Sequence, residues 1–436
     1  MQFRALRRAS VAAAAALVLA GTAACGGGSG SGSSDTLTYW ASVEGTGTQQ
    51  TKQTLQPVLR KFEKQSGIQV ELQIIPWSNL QKKILTAVTS GTGPDVVDIG
   101  NTWAPSLAAT GAFINFDKET MAKVGGSERF VGPALQATGL PGKPPMSLPV
   151  YGNAYLLYYN KKMFAEAGIE EPPKTWKEFI AVAKKLTHPP DQWGLVLQGS
   201  SYTQASHWAF ILGHQYGNPL YKNGEPNLAT PTMVDAVRRY VAFIGKNDIV
   251  APAAAQYNNS KFSNAFADGN AAMLMAQNST MGALTKLGMK PSEFGVVPLP
   301  VQANGSKGKA VKSITGGVNV AAFKYTENRE GALKFMKFMT SEWAQTKLNK
   351  GYGTLPTIKT VYNKPAFNTP KYQVFRKVYE NSSKPMPRTP TESQMETSLG
   401  NAIVGLIADA ASSGSVTDQQ IMAALRSAQQ KIKAAS

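Results

Sequence analysis

The sequence has very little cysteine and histidine: Cys25 is the only cysteine among 436 residues, and there are three histidines. A single cysteine cannot form a disulfide framework, and so few sulfur and imidazole ligands argue against a Cys/His metal site. After residue 25 no uninterrupted apolar run approaches the roughly 20 residues that a membrane-spanning helix needs. We therefore expect no metal, no cofactor and no later membrane-spanning segment.

Sequence motifs of common enzymes are also missing. The chain contains neither a G-x-S-x-G nucleophile elbow nor a G-x-x-x-x-G-K-[ST] phosphate loop. Asp95 and Asp98 are close in sequence, but residues i and i+3 of a strand face opposite sides, so they form a poor acid/base pair. We expect a protein that is not an enzyme. A secreted glycan hydrolase stays open as an alternative, because its two carboxylates need not be neighbours in sequence.

Acidic residues are scarce relative to basic ones, with 27 Asp and Glu against 45 Lys and Arg, for a formal charge of +18. Such a charge could indicate nucleic acid as a partner, but no run of five or six basic residues occurs. The lysines are scattered, which is the pattern of solvated helix faces. We expect no nucleic-acid binding; attraction to an anionic cell envelope is a separate hypothesis.

Residues 1–25 have the three parts of a secretory signal. Three arginines precede a short apolar stretch at 11–20, and small residues lead to Cys25. The end of this stretch resembles a bacterial lipobox, with Thr22 where leucine is usual, so we interpret 1–25 as a lipoprotein signal peptide and anchor cysteine. Ordinary cleavage after Ala24 is the alternative. Removing the three arginines lowers the charge from +18 to +15.

Glycine and serine dominate residues 26–35, which predicts a flexible linker. A lone cysteine in front of a flexible linker is what a lipid anchor requires. We therefore expect lipidation (palmitate) at Cys25 and a soluble body held on the extracytoplasmic face of the cell membrane.

Alternating strand and helix patterns follow the linker. Strands are expected at 37–40, 70–74 and 95–99, separated by helices around 55–62 and 80–88. Pro57 is expected near a helix start or a kink. Strands and helices in alternation are the signature of a parallel sheet covered by helices.

A second α/β region is predicted after Pro149. Thr175 and Glu178 form a capping box. Further strands are expected at 194–197, 272–275, 294–299 and 314–323, with helices through Phe262 and Phe266 and after Asn328. The predicted fold class is α/β with two lobes. The N-terminal lobe comprises 36–146 plus about 300–345, and the C-terminal lobe comprises 147–299 plus about 346–436.

Polar and aromatic side chains recur where the predicted strands end, and ligands of open parallel sheets bind beyond these ends. They include Glu44, Trp77, Asp98, Trp103, Trp208, Gln277 and Asn278. A sugar ring has an apolar face that aromatic rings can cover and hydroxyls that carboxylates and amides can bind. Any one of these residues alone is more typical of packing or of a solvated loop, but their repeated placement favours a carbohydrate site.

A series of motifs, in order along nearly the whole chain after the linker, resembles the extracellular sugar-binding proteins of ABC importers, the maltose-binding-protein-like family. The motifs are Gly93-Pro94-Asp95-Val96-Val97-Asp98, Leu107-Ala108-Ala109-Thr110-Gly111, Phe116-Asp117, Leu148-Pro149-Val150-Tyr151, Leu157-Tyr158-Tyr159-Asn160-Lys161, Pro172-Pro173-Lys174-Thr175-Trp176, Phe266-Ala267-Asp268-Gly269-Asn270-Ala271-Ala272-Met273, Gly316-Gly317 with Asn319, and Leu355-Pro356-Thr357.

The resemblance implies two doubly wound lobes with a hinge and an interlobe cleft, as in type II periplasmic binding proteins. It implies structural roles for Tyr158 and Tyr159, and ligand contacts from Tyr151, Tyr352 and the Gly316-Gly317 backbone, where a missing Cβ lets the backbone approach a ligand. Together with the strand-end residues, the candidate ligand-binding residues are Glu44, Trp77, Asp98, Trp103, Tyr151, Trp208, Gln277, Asn278, Gly316, Gly317 and Tyr352.

The resemblance also implies a function. The lobes would close on a sugar or oligosaccharide, and the closed, monomeric protein would deliver it to the permease subunits of an ABC importer without chemical change. One alternative keeps this fold and changes the ligand to a polyamine, an ion or a peptide, with the adjacent tyrosines as a weak indication of ferric iron. The secreted hydrolase is the other.

Overall fold

The computed structural model describes residues 35–302 and 311–435. The predicted signal peptide, Cys25 and the predicted linker up to residue 34 lie outside the described residues. No described helix is both long enough and apolar enough to cross a bilayer.

The strands are numbered in chain order. They are β1 (Thr36–Ser42), β2 (Gln69–Ile75), β3 (Val96–Gly100), β4 (Leu148–Asn153), β5 (Tyr155–Asn160), β6 (Tyr221–Lys222), β7 (Glu225–Pro226), β8 (Met273–Gln277), β9 (Phe294–Val297), β10 (Ser313–Ile314), β11 (Gly316–Ala322), β12 (Leu355–Pro356) and β13 (Ser383–Lys384).

The α-helices are numbered in the same way. They are α1 (Thr48–Ser66), α2 (Trp77–Ser90), α3 (Ala104–Ala109), α4 (Lys118–Lys123), α5 (Gly132–Gln136), α6 (Lys161–Glu166), α7 (Trp176–Lys185), α8 (Tyr202–Tyr216), α9 (Pro231–Val241), α10 (Asn259–Ala267), α11 (Thr280–Lys286), α12 (Arg329–Met339), α13 (Glu342–Tyr352), α14 (Lys359–Tyr362), α15 (Pro370–Asn381), α16 (Glu392–Ser413) and α17 (Asp418–Lys433). Short 3-10 turns occupy Asn101–Trp103, Pro252–Gln256 and Pro365–Phe367.

The first lobe is built on a six-stranded sheet in the order β12-β4-β11-β3-β1-β2. β1 runs parallel to β2 and to β3, as the alternating pattern predicts, while β11 runs antiparallel to β3 and β4. Helix α1 begins earlier than expected, so Pro57 lies inside it. The buried Thr51 explains the earlier start, because its hydroxyl bonds to the backbone of Glu44 and Gly47 and fixes the first turn.

The second lobe is built on a three-stranded sheet in the order β8-β5-β9, with β5 antiparallel to both neighbours. The capping box of Thr175 and Glu178 at α7 is confirmed. The strand expected at 194–197 is reduced to isolated bridges beside β8. Gly194 packs so closely on α7 that a Cβ there would lie 2.1 Å from the Ala183 carbonyl oxygen.

The chain crosses between the sheets through very short connections. Ala154 alone joins β4 to β5, and Thr315 alone joins β10 to β11. β4 and β12 both pair within the first sheet. This differs from the expected division, in which 147–153 and 355–356 belonged to the C-terminal lobe. The reason is that β4 is buried along its whole length between β11 and β12.

Helices cover both sheets, and the buried side chains lie between the helices and the sheets in three groups. One face of the first sheet packs on α1, α12 and α13, and this core continues beneath the second sheet through α10, α11 and α15. The other face of the first sheet packs on α2 and α3. The remaining core surrounds α7, α8, α9, α16 and α17. The two lobes are therefore joined along one side and can form a cleft on the other.

Candidate functional site

A cavity of about 400 Å³ lies between the two lobes, at the ends of β1, β2, β3 and β8. This volume suits a small ligand, since binding pockets typically measure about 300–1,000 Å³. Its described polar and aromatic lining includes Glu44, Thr46, Trp77, Asn101, Thr102, Trp103, Asn153, Gln198, Tyr202, Gln204, His207, Asn258, Asn259, Ser260, Gln277, Ser279 and Thr280.

The wall from the first lobe carries two indole rings. Trp77 is the first residue of α2, directly after the β2 loop, and it is half-buried. Trp103 ends the 3-10 turn that follows β3 and is 1% exposed. Their ring centroids lie 5.4 Å apart in an edge-to-face arrangement, which is a favourable geometry for aromatic pairs. Trp77 therefore presents the accessible aromatic face, and Trp103 supports it.

The wall from the second lobe is mostly amide, hydroxyl and imidazole. Ser201 caps α8, and the first two turns of that helix bring Tyr202, Gln204 and His207 to the cavity. Tyr202 also donates to the Oε1 atom of Gln81 across the cleft, at 3.2 Å. This wall offers both donors and acceptors, as ligand hydroxyls require.

The floor of the cavity lies at the crossings between the sheets. Gln277 ends β8, and its Nε2 atom would lie 3.2 Å from a Cβ added at Gly316. A Cβ at Gly317 would lie 2.3 Å from the carbonyl oxygen of Tyr151. Both glycines line the cavity as expected, but the neighbouring strand β4 already requires the missing side chain at Gly317, independently of any ligand.

Glu44 is the only acidic residue in the described lining, and it is 7% exposed. Burial, together with the nearby Asp98 carboxylate, raises the pKa of Glu44 to about 8. Burial likewise raises the pKa of Asp98 to about 6, against the hydrogen bonds from Tyr39 and Ser42 that lower it. Glu44 is therefore protonated at neutral pH and can both donate and accept a hydrogen bond.

No lysine or arginine occurs among the described residues that line the cavity. The net charge of +18 therefore does not extend to this surface. With Glu44 neutral, the described wall also offers no carboxylate to a cation. An uncharged polar ligand fits this wall best, because hydroxyls need hydrogen-bond partners rather than ions.

Three candidate residues lie beneath the floor and do not line the cavity. Asp98 turns back toward β1, where Tyr39 donates to Oδ1 at 2.7 Å and the backbone and hydroxyl of Ser42 donate to Oδ2. Tyr151 and Tyr352 pack edge-to-face at 5.4 Å, and both are buried. Direct contact with a ligand in this cavity is therefore not expected from these three, because the sheet itself occupies their polar groups or covers their rings.

Trp208 and Asn278 also lie away from the cavity. Trp208 is 2% exposed, because it lies one turn further along α8 than Gln204 and packs on Tyr155 and Tyr240 in the core of the second lobe. Asn278 is fully buried at the crossing, where its side chain bonds to the backbone of Gly152, Ala154 and Gly353. Of the candidates, the structure thus brings together Glu44, Trp77, Trp103, Gln277, Gly316 and Gly317 at the cavity.

Some lining residues were absent from the candidate set. Gln204 lies in the first turn of α8, and Asn258, Asn259 and Ser260 form the start of α10, where Asn258 is the helix cap. Asn259 donates to the Gly45 carbonyl at 3.2 Å across the cleft. A cap residue is recognisable from sequence, but which helix start faces the cavity depends on the packing of the two lobes.

The arrangement does not favour metal binding by the adjacent tyrosines. Tyr158 is buried and donates to the Gln277 carbonyl oxygen at 2.9 Å, while Tyr159 packs on Phe164. Among residues 35–302 and 311–435, no group of three or more His, Cys, Asp or Glu side chains could hold a metal ion. The structural roles expected for both tyrosines agree with these contacts.

Two α/β lobes around a polar, aromatic-lined cleft define a ligand-binding protein of the periplasmic-binding type. Residues 45–346 match the model of the family described as bacterial extracellular solute-binding protein, and the chain belongs to this family. A curated relative is the diacetylchitobiose-binding protein DasA of Streptomyces coelicolor, which is 25% identical over 74% of this chain and 73% of its own.

Solved structures agree with the fold. A solute-binding protein from Thermotoga lettingae, bound with α-D-tagatose, is 23% identical with a TM-score of 0.79 over 91% of this chain and 99% of its own. The maltotriose-binding protein of Thermus thermophilus, bound with maltotriose, is 24% identical with a TM-score of 0.75 over 92% and 99%. The expected two-lobed fold class is thereby confirmed.

Proposed function

We propose that this protein binds an uncharged sugar or short oligosaccharide in the interlobe cavity and delivers it to the permease of an ABC importer. The observation that carries the proposal is the composition of the cavity wall. It combines the accessible indole of Trp77 with amides and hydroxyls, and its described residues include no lysine or arginine. The sugars named for DasA and for the two solved relatives support the same ligand class.

A charged ligand is a weaker candidate. A sugar phosphate or acidic peptide would find no lysine or arginine in the described wall. A polyamine would need carboxylates, and the pKa of Glu44, raised to about 8 by burial and Asp98, leaves it protonated at neutral pH. Leaving a buried charge unpaired costs far more than leaving a hydroxyl unpaired, so the neutral ligand is favoured.

A hydrolase is also disfavoured. A glycosidase needs two carboxylates that flank the scissile bond. Glu44 lines the cavity, but Asp98 lies beneath it with both oxygens engaged by Tyr39 and Ser42. We therefore propose binding without turnover.

The ligand class is tested by titration. A chain beginning at residue 26 is titrated with maltotriose, diacetylchitobiose and tagatose, and with glucose 6-phosphate and spermidine, by calorimetry and tryptophan fluorescence. We expect at least one neutral sugar to bind, to raise the melting temperature and to be recovered unchanged by chromatography. Binding of only the charged solutes would contradict the sugar proposal, and cleavage of the sugar would favour the hydrolase.

We further propose that Cys25 carries a lipid that holds the monomeric protein on the extracytoplasmic face of the cell membrane. The lone cysteine and the glycine-serine sequence after it support this. Labelling cells with radioactive palmitate should mark the full chain in the membrane fraction, while the C25S variant should be unlabelled. Release of both forms into the medium would instead favour ordinary cleavage after Ala24.

A further inference from the structure

The buried face of α16 carries two carboxyl groups that the sugar proposal does not use. Glu392 and Glu396 lie one turn apart on this helix, and both are fully buried. A carboxylate removed from water is costly unless it is paired and hydrogen-bonded. α16 also lies beyond residue 346, where the family match ends. These groups therefore require an explanation of their own.

Glu396 contacts the cavity wall from behind, on both lobes. Its Oε1 atom accepts a hydrogen bond from the indole Nε1 of Trp103 at 3.2 Å. Its Oε2 atom lies 3.8 Å from Nε2 of His207. Trp103 belongs to the first lobe and His207 to α8 of the second, and both line the cavity. One side chain thus contacts a wall residue of each lobe.

The hydrogen bonds of His207 orient its ring. Nδ1 lies 2.8 Å from the hydroxyl oxygen of Tyr155, and that hydroxyl donates to Oε1 of Gln204 at 2.6 Å. Because the hydroxyl proton is already directed at Gln204, the Tyr155 oxygen is left to accept from Nδ1, and Nε2 faces Glu396. The chain of contacts therefore runs from Gln204 in the cavity wall to the buried carboxylate.

The two glutamates differ in protonation. Burial and the adjacent Glu396 carboxylate raise the pKa of Glu392 well above its ordinary value. Burial raises the pKa of Glu396 too, but the His207 imidazole, 3.8 Å from its Oε2 atom, and hydrogen bonds from Thr102 and Trp103 outweigh it and hold that pKa below its usual range. The raised pKa favours the neutral form of Glu392, and the lowered pKa favours the anionic form of Glu396.

We infer that Glu396 is a positioning residue for ligand binding, which holds Trp103 and His207 in the shape that the ligand meets. The inference rests on the proposed function for the class of ligand. Rings that are fixed before binding lose less conformational freedom when the ligand arrives. On this account helix α16, outside the matched family region, is part of the binding machinery through its contacts with both lobes.

The first test needs no ligand. In a ¹⁵N-labelled chain beginning at residue 26, the indole resonance of Trp103 is assigned by its loss in W103F. The E396Q variant should move this resonance upfield, because the charged acceptor is removed. The matched control is E392Q, the same substitution one turn away, at a carboxyl whose raised pKa already favours the neutral form. Equal shifts in both variants would overturn the inference.

The second test measures affinity for maltotriose or diacetylchitobiose, whichever the unsubstituted protein binds. E396Q should weaken binding by about tenfold, as expected for the loss of a hydrogen bond to a charged group, whereas E392Q should stay within about twofold. In the W103F background, E396Q should have a smaller effect than in the unsubstituted protein. A merely structural glutamate would lower the melting temperature without this dependence on Trp103.

The outcomes separate the two proposals. If the unsubstituted protein binds none of the neutral sugars titrated above, the proposed function is contradicted, and the indole resonance alone decides the position of Trp103. If the unsubstituted protein binds and E396Q binds equally well, the positioning inference is overturned. Should E396Q fail to fold, E396D keeps the buried charge but withdraws it from Trp103, and its affinity should fall in the same direction; unchanged affinity in E396D would also overturn the inference.

Discussion

The side chain of Asn278 holds the backbone of Ala154, the single residue that links the two central sheets. Its Oδ1 atom accepts from the Ala154 amide at 2.7 Å, and its Nδ2 atom donates to the carbonyls of Gly152 and Gly353 at 3.3 and 3.1 Å. This residue was expected to contact ligand, and instead it fixes the crossing about which the lobes would move.

We expect N278A to be strongly destabilising. The substitution leaves a buried amide and two buried carbonyl groups without their partner, which should cost about 2–5 kcal/mol of unfolding free energy. Urea unfolding followed by circular dichroism measures this loss. The control is N264A at an exposed position of α10, which should change stability little. Equal effects in the two variants would contradict the role of Asn278.

Trp77 and Trp208 should respond in opposite ways to the same substitution. W77A removes a half-buried ring from the cavity, so sugar affinity should fall at least about tenfold with little loss of stability. W208A empties a buried site beside Tyr155 and Tyr240, so it should lose about 3–5 kcal/mol of stability. Calorimetric titration and thermal unfolding of both variants check the pair. A stable W208A protein would contradict its placement in the core.

Glycine at 317 should be irreplaceable, while glycine at 405 should not. A Cβ at 317 would lie 2.3 Å from the Tyr151 carbonyl oxygen, so G317A must push β11 away from β4 and destabilise the protein. A Cβ at Gly405 meets nothing within 4 Å, and this residue lies within α16. G405A should therefore stabilise the helix by about 0.5–1 kcal/mol. Thermal unfolding of both variants distinguishes the two sites.

The part of the stability that Glu44 contributes in the absence of ligand should fall as pH rises. The pKa of Glu44 is about 8 in the folded protein because of burial and Asp98, against 4.5 ordinarily. The folded state therefore binds more protons than the unfolded state between these values, so this contribution is complete below the ordinary pKa and is lost as pH rises through about 8. Asp98 contributes in the same direction between pH 3.8 and about pH 6, because burial raises its pKa from 3.8 to about 6.

Melting temperatures measured from about pH 5 to about pH 8 test this dependence. E44Q should flatten the slope above the range in which Asp98 titrates, because glutamine has no proton to lose. E71Q, at an exposed position of β2, should keep the slope of the unsubstituted protein. A slope that persists unchanged in E44Q would show that Glu44 does not carry the raised pKa.

The sequence pattern predicts the parts of the site that follow from strand ends. Glu44, Trp77 and Gln277 follow or end predicted strands, and the backbone alone brings them to one edge. Asp98 failed as a candidate because a side chain at a strand end can turn back to a neighbouring strand, here to β1. The direction in which such a side chain points depends on which strands pair, and local sequence does not encode that pairing.

The role inferred for Glu396 could not be predicted from local pattern. Its partner Trp103 is 293 residues away in sequence, and the contact exists only because α16 packs behind the cavity. The fold class could be predicted from the sequence, since alternating strand and helix patterns identify an α/β protein. The lobe boundaries were harder to predict, because β4 joins the first sheet by pairing with β11, which lies far along the chain.

The absence of lysine and arginine from the described cavity wall has a consequence for kinetics. An uncharged solute feels no long-range Coulomb attraction, so its association rate should stay flat as ionic strength changes. The approach of the strongly basic body to an anionic surface should instead slow as salt screens its charge. The association rate of the solute would then be independent of salt, because it is set by diffusion. The rate of encounter with the envelope would fall with added salt, because it is electrostatically steered.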